Sequence, residues 1–390
     1  MKALPMACLL CAVFHANLIL ATMSYMEDVQ NDFAINFLKK TANRNGGTFI
    51  SPYALLKTLF LLYSITDGET NEEIFHTLAR NGSQEEFNSY ILQFVLENKE
   101  RIQNPLAVHS TNRFYISRLL AMKPGLPRII QLFFNESAYA WDGRHKSEIA
   151  ENINTWVARK TDNIVRSVFH SSNVESSADI WFLNMIFYDL QFKKAFKQSQ
   201  KAMFFFSYND LSSSLKWQFA KGIFEYYADD QVRFVRLPLI SDSDSLECVI
   251  ILPAQRFGLF KFLRTLSSRE LINLIHHGSP HFVKVRIPEF TIENQLLMKN
   301  KLKSVGIKKL FAQNSDFSTY FYRPISIEQI IQIGGITFLP KKGSRRSLTP
   351  SSDIQNRSVP TVNFIADEPF LYLGIKNNKT ILFAGKYDFD

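Results

Sequence analysis

Near its C-terminal end the chain reads Phe364-Ile365-Ala366-Asp367-Glu368-Pro369-Phe370-Leu371-Tyr372 and then Ile381-Leu382-Phe383-Ala384-Gly385-Lys386. These two runs are the most distinctive in the sequence. Several segments upstream are rich in β-branched and aromatic residues, which is typical of strands. They are Thr111 to Ile116, Ile180 to Tyr188, Gln231 to Leu237, Leu246 to Leu252 and Phe282 to Ile287.

The first third of the chain has a helical pattern. Phe33, Phe37 and Leu38 repeat at helical spacing, and a second helix is predicted after Ser51-Pro52, where serine caps and proline fits the first turn. Further helices are predicted at Thr70 to Leu78, Ser83 to Glu100, Glu148 to Lys160 and Gln295 to Val305. Helices and strands interleave without regular alternation, which favours an α+β fold. We find no internal repeat and no linker rich in Pro, Gly or Ser, so a single large domain is expected.

Composition indicates a folded protein. The 390 residues are 46% hydrophobic and 21% charged, close to globular averages. The formal charge of +9 is spread along the chain, which argues against nucleic acid as a partner and modestly favours acidic partners.

The N-terminus resembles a secretory signal peptide. Lys2 precedes an apolar run from Ala7 to Ala21 that is too short to span a bilayer. We expect residues 1–22 to be removed, within a few residues, leaving one domain over 23–390 that is extracellular and not held in a membrane. Removal takes away Cys8 and Cys11, so the mature chain keeps only Cys248 and no internal disulfide is expected. Export gives meaning to N-x-[ST] sequons at Asn81, Asn135, Asn356 and Asn378, of which we expect two or three to carry glycans.

Signatures of catalysis were not found. The sequence has no G-x-S-x-G, H-E-x-x-H, Walker or G-x-G-x-x-G motif. His277 and His281 have the spacing of a helical metal pair, but Gly278 and Pro280 would break that helix, so a loop and strand start are expected. We therefore predict no enzyme, no metal and no cofactor. Two basic groups either bind a sulfated glycan or form a solvated helix or turn face: Lys193, Lys194, Lys197 and Lys201, and Lys299, Lys301 and Lys303.

An ordered series of segments resembles the serpin family of serine protease inhibitors. The series is Thr48-Phe49-Ile50-Ser51-Pro52, Asp67-Gly68-Glu69-Thr70, Thr111-Asn112-Arg113-Phe114-Tyr115, Ile153-Asn154-Thr155-Trp156-Val157 with Thr161, Leu183-Asn184-Met185-Ile186-Phe187, Val235-Arg236-Leu237-Pro238, Ile250-Ile251-Leu252-Pro253, Val285-Arg286-Ile287-Pro288-Glu289-Phe290 and the two C-terminal runs. The resemblance covers nearly all of the mature chain. It implies three β-sheets, eight or nine helices and an exposed reactive loop at about 341–361, and we expect a monomer. The general pattern is similar to insect male accessory-gland serpins, which would place the protein in seminal fluid.

The resemblance also implies a mechanism without a catalytic residue. A protease cuts the reactive loop, and the cut loop enters the largest sheet as a new central strand, distorting the attached protease. Two classes stay open: an extracellular inhibitor of a serine protease, and a non-inhibitory serpin that acts as a binding, carrier or storage protein.

Counting along the loop places the reactive bond at Arg357-Ser358, with Gln355-Asn356 as the alternative. An arginine before the cut suits a trypsin-like protease. A glycan on Asn356 would stand where that protease closes around the loop.

The loop's hinge predicts impaired insertion. Gly343 and Ser344 fit the family, but inhibitory members then have small residues, where this chain has Arg345 and Arg346. Adjacent residues of a strand point to opposite faces, so one arginine must point inward, and our preferred register buries Arg346. Pro350 lacks the N–H that a central strand needs.

Further departures lie just before the hinge. Gln332 and Ile333 stand where the family usually has histidine and lysine, and Pro340-Lys341-Lys342 replaces an acidic stretch. The counter-reading is that the arginines extend to the rim of the sheet and inhibition survives.

Overall fold

The structure is a computed structural model that describes residues 27–42, 46–80, 82–100, 108–135, 137–161, 163, 166–167, 169–173, 175–208, 212–241, 245–340 and 361–389. Its helices are α1 over 27–41, α2 (Pro52–Ile65), α3 (Gly68–Ala79), α4 (Gln84–Glu100), α5 (Leu126–Phe134), α6 (Lys146–Lys160), α7 (Leu259–Thr265), α8 (Ser268–His276) and α9 (Lys299–Ser304). No helix within these ranges is long and apolar enough to cross a membrane.

The strands of the described ranges fall into three sheets. In chain order they are β1 (Thr48–Ile50), β2 (Val108–Ser117), β3 (Ala138–Trp141), β4 (Ile180–Asp189), β5 (Lys197–Gln198), β6 (Met203–Phe206), β7 (Ser212–Leu215), β8 (Trp217–Ala228), β9 (Val232–Pro238), β10 (Leu246–Pro253), β11 (Ser279–Pro288), β12 (Phe290–Leu297), β13 (Ile327–Phe338), β14 (Thr361–Ile365), β15 (Phe370–Lys376) and β16 (Thr380–Tyr387). One sheet has the order β12-β13-β4-β2-β3. A second has the order β1-β16-β15-β10-β9-β8-β11-β14 with β5 beside β8, and β6 pairs with β7. The α+β fold with three sheets and eight or nine helices is confirmed.

Local chemistry explains several element ends. Ser51 caps α2, accepting a hydrogen bond from the Ala54 amide at 3.3 Å, and Pro52 lies in the first turn as predicted. Asn377 and Asn378 both have positive φ angles, of 52° and 61°, so they form the tight turn between β15 and β16.

The core is divided among three clusters. One lies beneath the helices α1 to α5 and α7 to α9, a second lies between the two large sheets, and a third lies between α6 and the five-stranded sheet. The last cluster includes Trp156 of α6, Trp181 of β4 and Ile333 of β13. The five-stranded sheet is therefore covered on both faces along the middle of β4 and β13.

Two expectations of local structure were wrong. The predicted helix at Gln295 to Val305 begins only at Lys299, because Gln295 and Leu297 continue β12 and pair with Ile333 and Ile331 of β13. The first basic group contains no helix, since Lys197 lies in β5. The prediction for His277 and His281 is confirmed, because the first follows α8 and the second lies in β11.

Candidate functional site

The candidate site is the seam between β4 and β13. The two strands pair directly and in parallel, from Ile327 opposite Ile180 to Thr337 opposite Asp189. A strand inserted at this point would have to separate them. The reactive loop starts at the end of β13 in the five-stranded sheet and ends at β14 in the nine-stranded sheet.

Most of the residues predicted to act in the loop lie outside the described residues. These are Gly343, Ser344, Arg345, Arg346, Pro350, Asn356, Arg357 and Ser358, and Asn81 also falls outside them. The geometry of the site therefore consists of the seam and the two anchors of the loop.

The inner side of the seam faces the core between the sheets and is almost wholly apolar. Alternation along the two strands places on it Ile180, Phe182, Asn184, Ile186 and Tyr188 of β4 and Ile330, Gln332, Gly334, Ile336 and Phe338 of β13. No acidic side chain occurs in this set, so the inner side offers nothing to neutralise a buried cation.

Two buried amides are the polar groups at the middle of the inner side. Gln332 binds the main chain of Ser51 twice, and it is 1% exposed. Asn184, its partner in the strand register, donates to Thr58 Oγ1 at 2.7 Å and to Asn112 Oδ1 at 2.6 Å. These contacts fasten β4 and β13 to α2.

Tyr188 lies above the two amides on the same side of the seam. Its ring packs 4.3 Å from that of Phe383, centroid to centroid. Burial raises the pKa of its phenol, against an opposing hydrogen bond with Ser51. The phenol is therefore neutral at physiological pH and adds no charge to the inner side.

The outer side of the seam is covered by α6. Leu183, Met185, Ile331 and Ile333 pack there against Ile153, Trp156 and Val157 of the helix. Beside them the Arg113 guanidinium lies 4.0 Å from the centroid of the Trp156 ring and 4.3 Å from that of Tyr139. A cation between two aromatic faces fixes α6 to β2 and β3.

The upper end of the seam is more open on its outer side. Thr337 and Asp189 are register partners there and are both partly exposed. On the inner side, Gln218 of β8 donates to the Phe338 carbonyl at 2.7 Å and ties the end of β13 to the second sheet. A cavity of about 30 Å³ adjoins this end, with Leu339 and Pro340 in its wall.

The two departures before the hinge face opposite sides. Gln332 points inward to Ser51, whereas Ile333 is buried outward beneath α6. Sequence comparison indicated that both positions are unusual, but it did not identify their partners. Asn184, a lone amide in an otherwise apolar strand, was a signal in the sequence that we did not use.

The two described sequons lie at the surface. Asn135 and Asn378 are both exposed, each with a positive φ angle, at the end of α5 and in the β15–β16 turn. Asn378 Oδ1 accepts a hydrogen bond from Arg236, whose guanidinium also pairs with Glu247. This contact uses the amide oxygen and not the nitrogen that carries a glycan.

The basic groups do not form the two clusters that were predicted. Lys299 pairs with Glu328 at 3.1 Å, and burial lowers the pKa of Lys301. The short helix α9 turns Lys301 away from Lys299 and Lys303. Cys248 is fully buried in β10, and no group of three or more metal-ligating side chains occurs in the described part of the chain.

Comparisons with known proteins agree with this architecture. The family model described as "Serpin (serine protease inhibitor)" matches residues 28–388. The chain is 20% identical to Serpin I2 of Homo sapiens, over 91% of this chain and 89% of that protein. It is 23% identical to the leukocyte elastase inhibitor of Xenopus laevis, over 94% and 99% of the two chains.

Solved structures support the same conclusion about the fold. The crystal structure of Serpin48 from the insect Tenebrio molitor superposes with a TM-score of 0.78 at 20% identity, covering 93% of this chain and 97% of that one. Members of the matched family are generally inhibitors of serine proteases and not catalysts. The family match, the seam and the two anchors of the loop lead to one conclusion: the chain belongs to the serpin family.

Proposed function

We propose that this serpin is secreted and presents Arg357 to trypsin-like serine proteases, and that its suicide inhibition is impaired because the cut loop enters the sheet poorly. The observation that carries the proposal is the absence of any acidic side chain on the described inner side of the β4–β13 seam. The alternative is a non-inhibitory serpin that acts as a binding, carrier or storage protein.

The charge argument concerns the two adjacent arginines of the hinge. In an inserted strand, one of Arg345 and Arg346 faces the inner side, where Tyr188, Ile336 and Phe338 form the upper wall. An unpaired buried charge costs about 3 to 5 kcal/mol. The other arginine would emerge near Asp189, at the partly exposed outer side. Impairment therefore requires only that one register position is occupied by arginine.

Pro350 opposes insertion for a separate reason. The new strand would lie between β4 and β13 and would hydrogen-bond on both sides, so each of its residues would need its amide. Proline at position 350 leaves one acceptor of the neighbouring strands without a donor. The two obstacles are independent, and removing one would restore insertion only in part.

Secretion is proposed from the apolar leader and is supported by the exposed sequons at Asn135 and Asn378. A protein without a disulfide must be stabilised by core burial, which the three hydrophobic clusters supply. Sulfated-glycan binding through the predicted lysine groups has weaker support, because those groups are dispersed in the structure.

The test compares four proteins: the wild type, P350A, R345A/P350A and R346A/P350A. Each is mixed with trypsin, and we measure the SDS-resistant complex, the N-terminus exposed by the cut, and the thermal midpoint before and after cleavage. We expect simple cleavage and little thermal change in the wild type. R346A/P350A should gain the complex and a rise in the thermal midpoint, whereas R345A/P350A serves as the matched control and should gain less.

Each part of the proposal fails in its own way. A stable wild-type complex with a large rise in the thermal midpoint would show that insertion is not impaired. A first cut after Arg345 or Arg346, or one far from Thr349 to Pro360, would contradict the assignment of Arg357-Ser358. Resistance of the loop to trypsin-like proteases would favour the non-inhibitory alternative.

A further inference from the structure

Four cations lie together on the outward face of the sheet that receives the end of the reactive loop. Strand register arranges this face in three rows. They are Lys197, Phe219, Arg286 and Ile365; then Lys221, Lys284 and Asn363; then Ile223, Phe282 and Thr361. We call Lys197, Lys221, Lys284 and Arg286 the basic face.

The basic face contains a pair of like charges that its own sheet does not balance. Lys221 and Lys284 are direct cross-strand partners on β8 and β11, and both are exposed. Like charges directly opposite each other destabilise a sheet. No acidic side chain lies in the three rows, and none of the four cations forms an ion pair with a described residue; Glu225, the next outward residue of β8, lies beyond them. The arrangement costs stability in the isolated protein and fits a negatively charged partner.

Apolar side chains lie between the cations. Ile223 is 44% exposed, and Phe219 and Phe282 are partly exposed in the adjoining positions. Exposed aromatic and aliphatic side chains beside charges are typical of protein interfaces. A sulfated glycan would use the charges but would gain little from Ile223 and Phe282, so the composition favours a protein partner.

The position of this face indicates which protein. β14 is its edge strand and pairs with β11 from Thr361 opposite Phe282 to Ile365 opposite Arg286. β14 is also the first described element after the proposed reactive bond at Arg357-Ser358. A protease bound to that bond stands only a few residues from the basic face and can contact both.

We propose that the basic face is a second contact surface for the protease bound to the reactive loop, and that it selects proteases with an acidic surface beside the active site. The inference rests on the proposed function and specifies its partner. Complementary charge at such a surface speeds association and discriminates between proteases that share the same preference for arginine.

The experiment measures binding of two trypsins, one anionic and one cationic, each with its catalytic serine replaced by alanine. The variant K221E/K284E reverses the central pair. The control K261E/R269E makes the same change of charge at exposed positions of α7 and α8, which pack near α1. We expect K221E/K284E to weaken binding of anionic trypsin about tenfold at about 50 mM salt, and the loss to shrink at high salt. The control should change binding less than about twofold.

Further variants separate the possible failures. K221Q/K284Q removes the charges without reversing them and should give a smaller loss, which guards against a folding defect in the reversed pair. R357A should abolish binding of both trypsins; if it does not, the assignment of the reactive bond fails and this inference fails with it. Equal effects of K221E/K284E and K261E/R269E would overturn the basic face alone. So would loss of heparin binding with unchanged trypsin binding, which would identify a glycan site.

Discussion

Ser51 and Gln332 exchange two hydrogen bonds across the buried inner side of the seam. The Ser51 amide donates to Gln332 Oε1 at 3.0 Å, and Gln332 Nε2 donates to the Ser51 carbonyl at 3.0 Å. One neutral side chain thereby satisfies both main-chain groups at the residue that caps α2. β13 is held to the helix beneath it by a contact that does not titrate.

The first prediction concerns that pair. Gln332→Ala leaves a buried donor and a buried acceptor of Ser51 unpaired, and we expect it to lower the free energy of unfolding by about 3 kcal/mol. Urea unfolding followed by tryptophan fluorescence measures the change. Gln198→Ala, at an exposed position of β5, is the matched control and should cost less than about 0.5 kcal/mol. Equal stability of the two variants would show that the Ser51 contact contributes nothing.

The second prediction concerns Lys57 of α2. Burial disfavours its ammonium group and lowers its pKa to about 8. In the unfolded chain the pKa is near 10.5, so between these values the unfolded state binds more protons and stability rises with pH. Below about pH 8 the cost of the buried charge is fully present.

We therefore expect Lys57→Met to stabilise the protein at neutral pH by about 1 to 2 kcal/mol, allowing for solvent near this partly buried site. It should also remove part of the rise in stability between pH 8 and 10.5. Thermal unfolding across that range is the measurement, with Lys261→Met on α7 as an exposed control. A destabilised Lys57→Met with an unchanged pH profile would contradict the expectation.

The third prediction concerns Cys248. Its thiol is fully buried, and burial raises its pKa well above the ordinary value. Both effects suppress the thiolate that reacts with disulfides and maleimides. We expect no labelling of the folded protein by a thiol reagent and complete labelling in denaturant.

Because Cys248 lies in the nine-stranded sheet and not at the seam, Gln332→Ala should leave its labelling slow under native conditions. Fast native labelling in that variant would mean that loosening the seam also opens the second sheet.

The fourth prediction concerns the sequon at Asn378. Thr380→Ala destroys the sequon but keeps the hydrogen bond from Arg236 to Asn378 Oδ1, whereas Asn378→Ala removes both. Expressed through a secretory pathway, both variants should lose the mass of one glycan. Only Asn378→Ala should lose stability, by about 1 kcal/mol, since Arg236 keeps its ion pair with Glu247. Equal masses of wild type and Thr380→Ala would show that the site is not used.

Local patterns were enough to predict much of the fold. The runs of β-branched and aromatic residues correctly identified β2, β4, β9, β10 and β11, because strand propensity and burial act on neighbouring residues. Ser51-Pro52 predicted the start of α2 for the same local reason. The segment at Gln295 failed because its long-range pairing with Ile333 outweighed a helical pattern.

What the sequence by itself determined is the family, the α+β class and the two arginines of the hinge, since each is visible in residues that are contiguous in the chain. Only the tertiary structure decided that Gln332 meets Ser51, that Ile333 faces α6, and that Lys221 stands opposite Lys284. Those facts depend on which strands pair and in which register, and a shift of one residue would turn every one of these side chains to the other face. Register is set by the packing of the whole core, so it cannot be obtained from any one segment of the sequence.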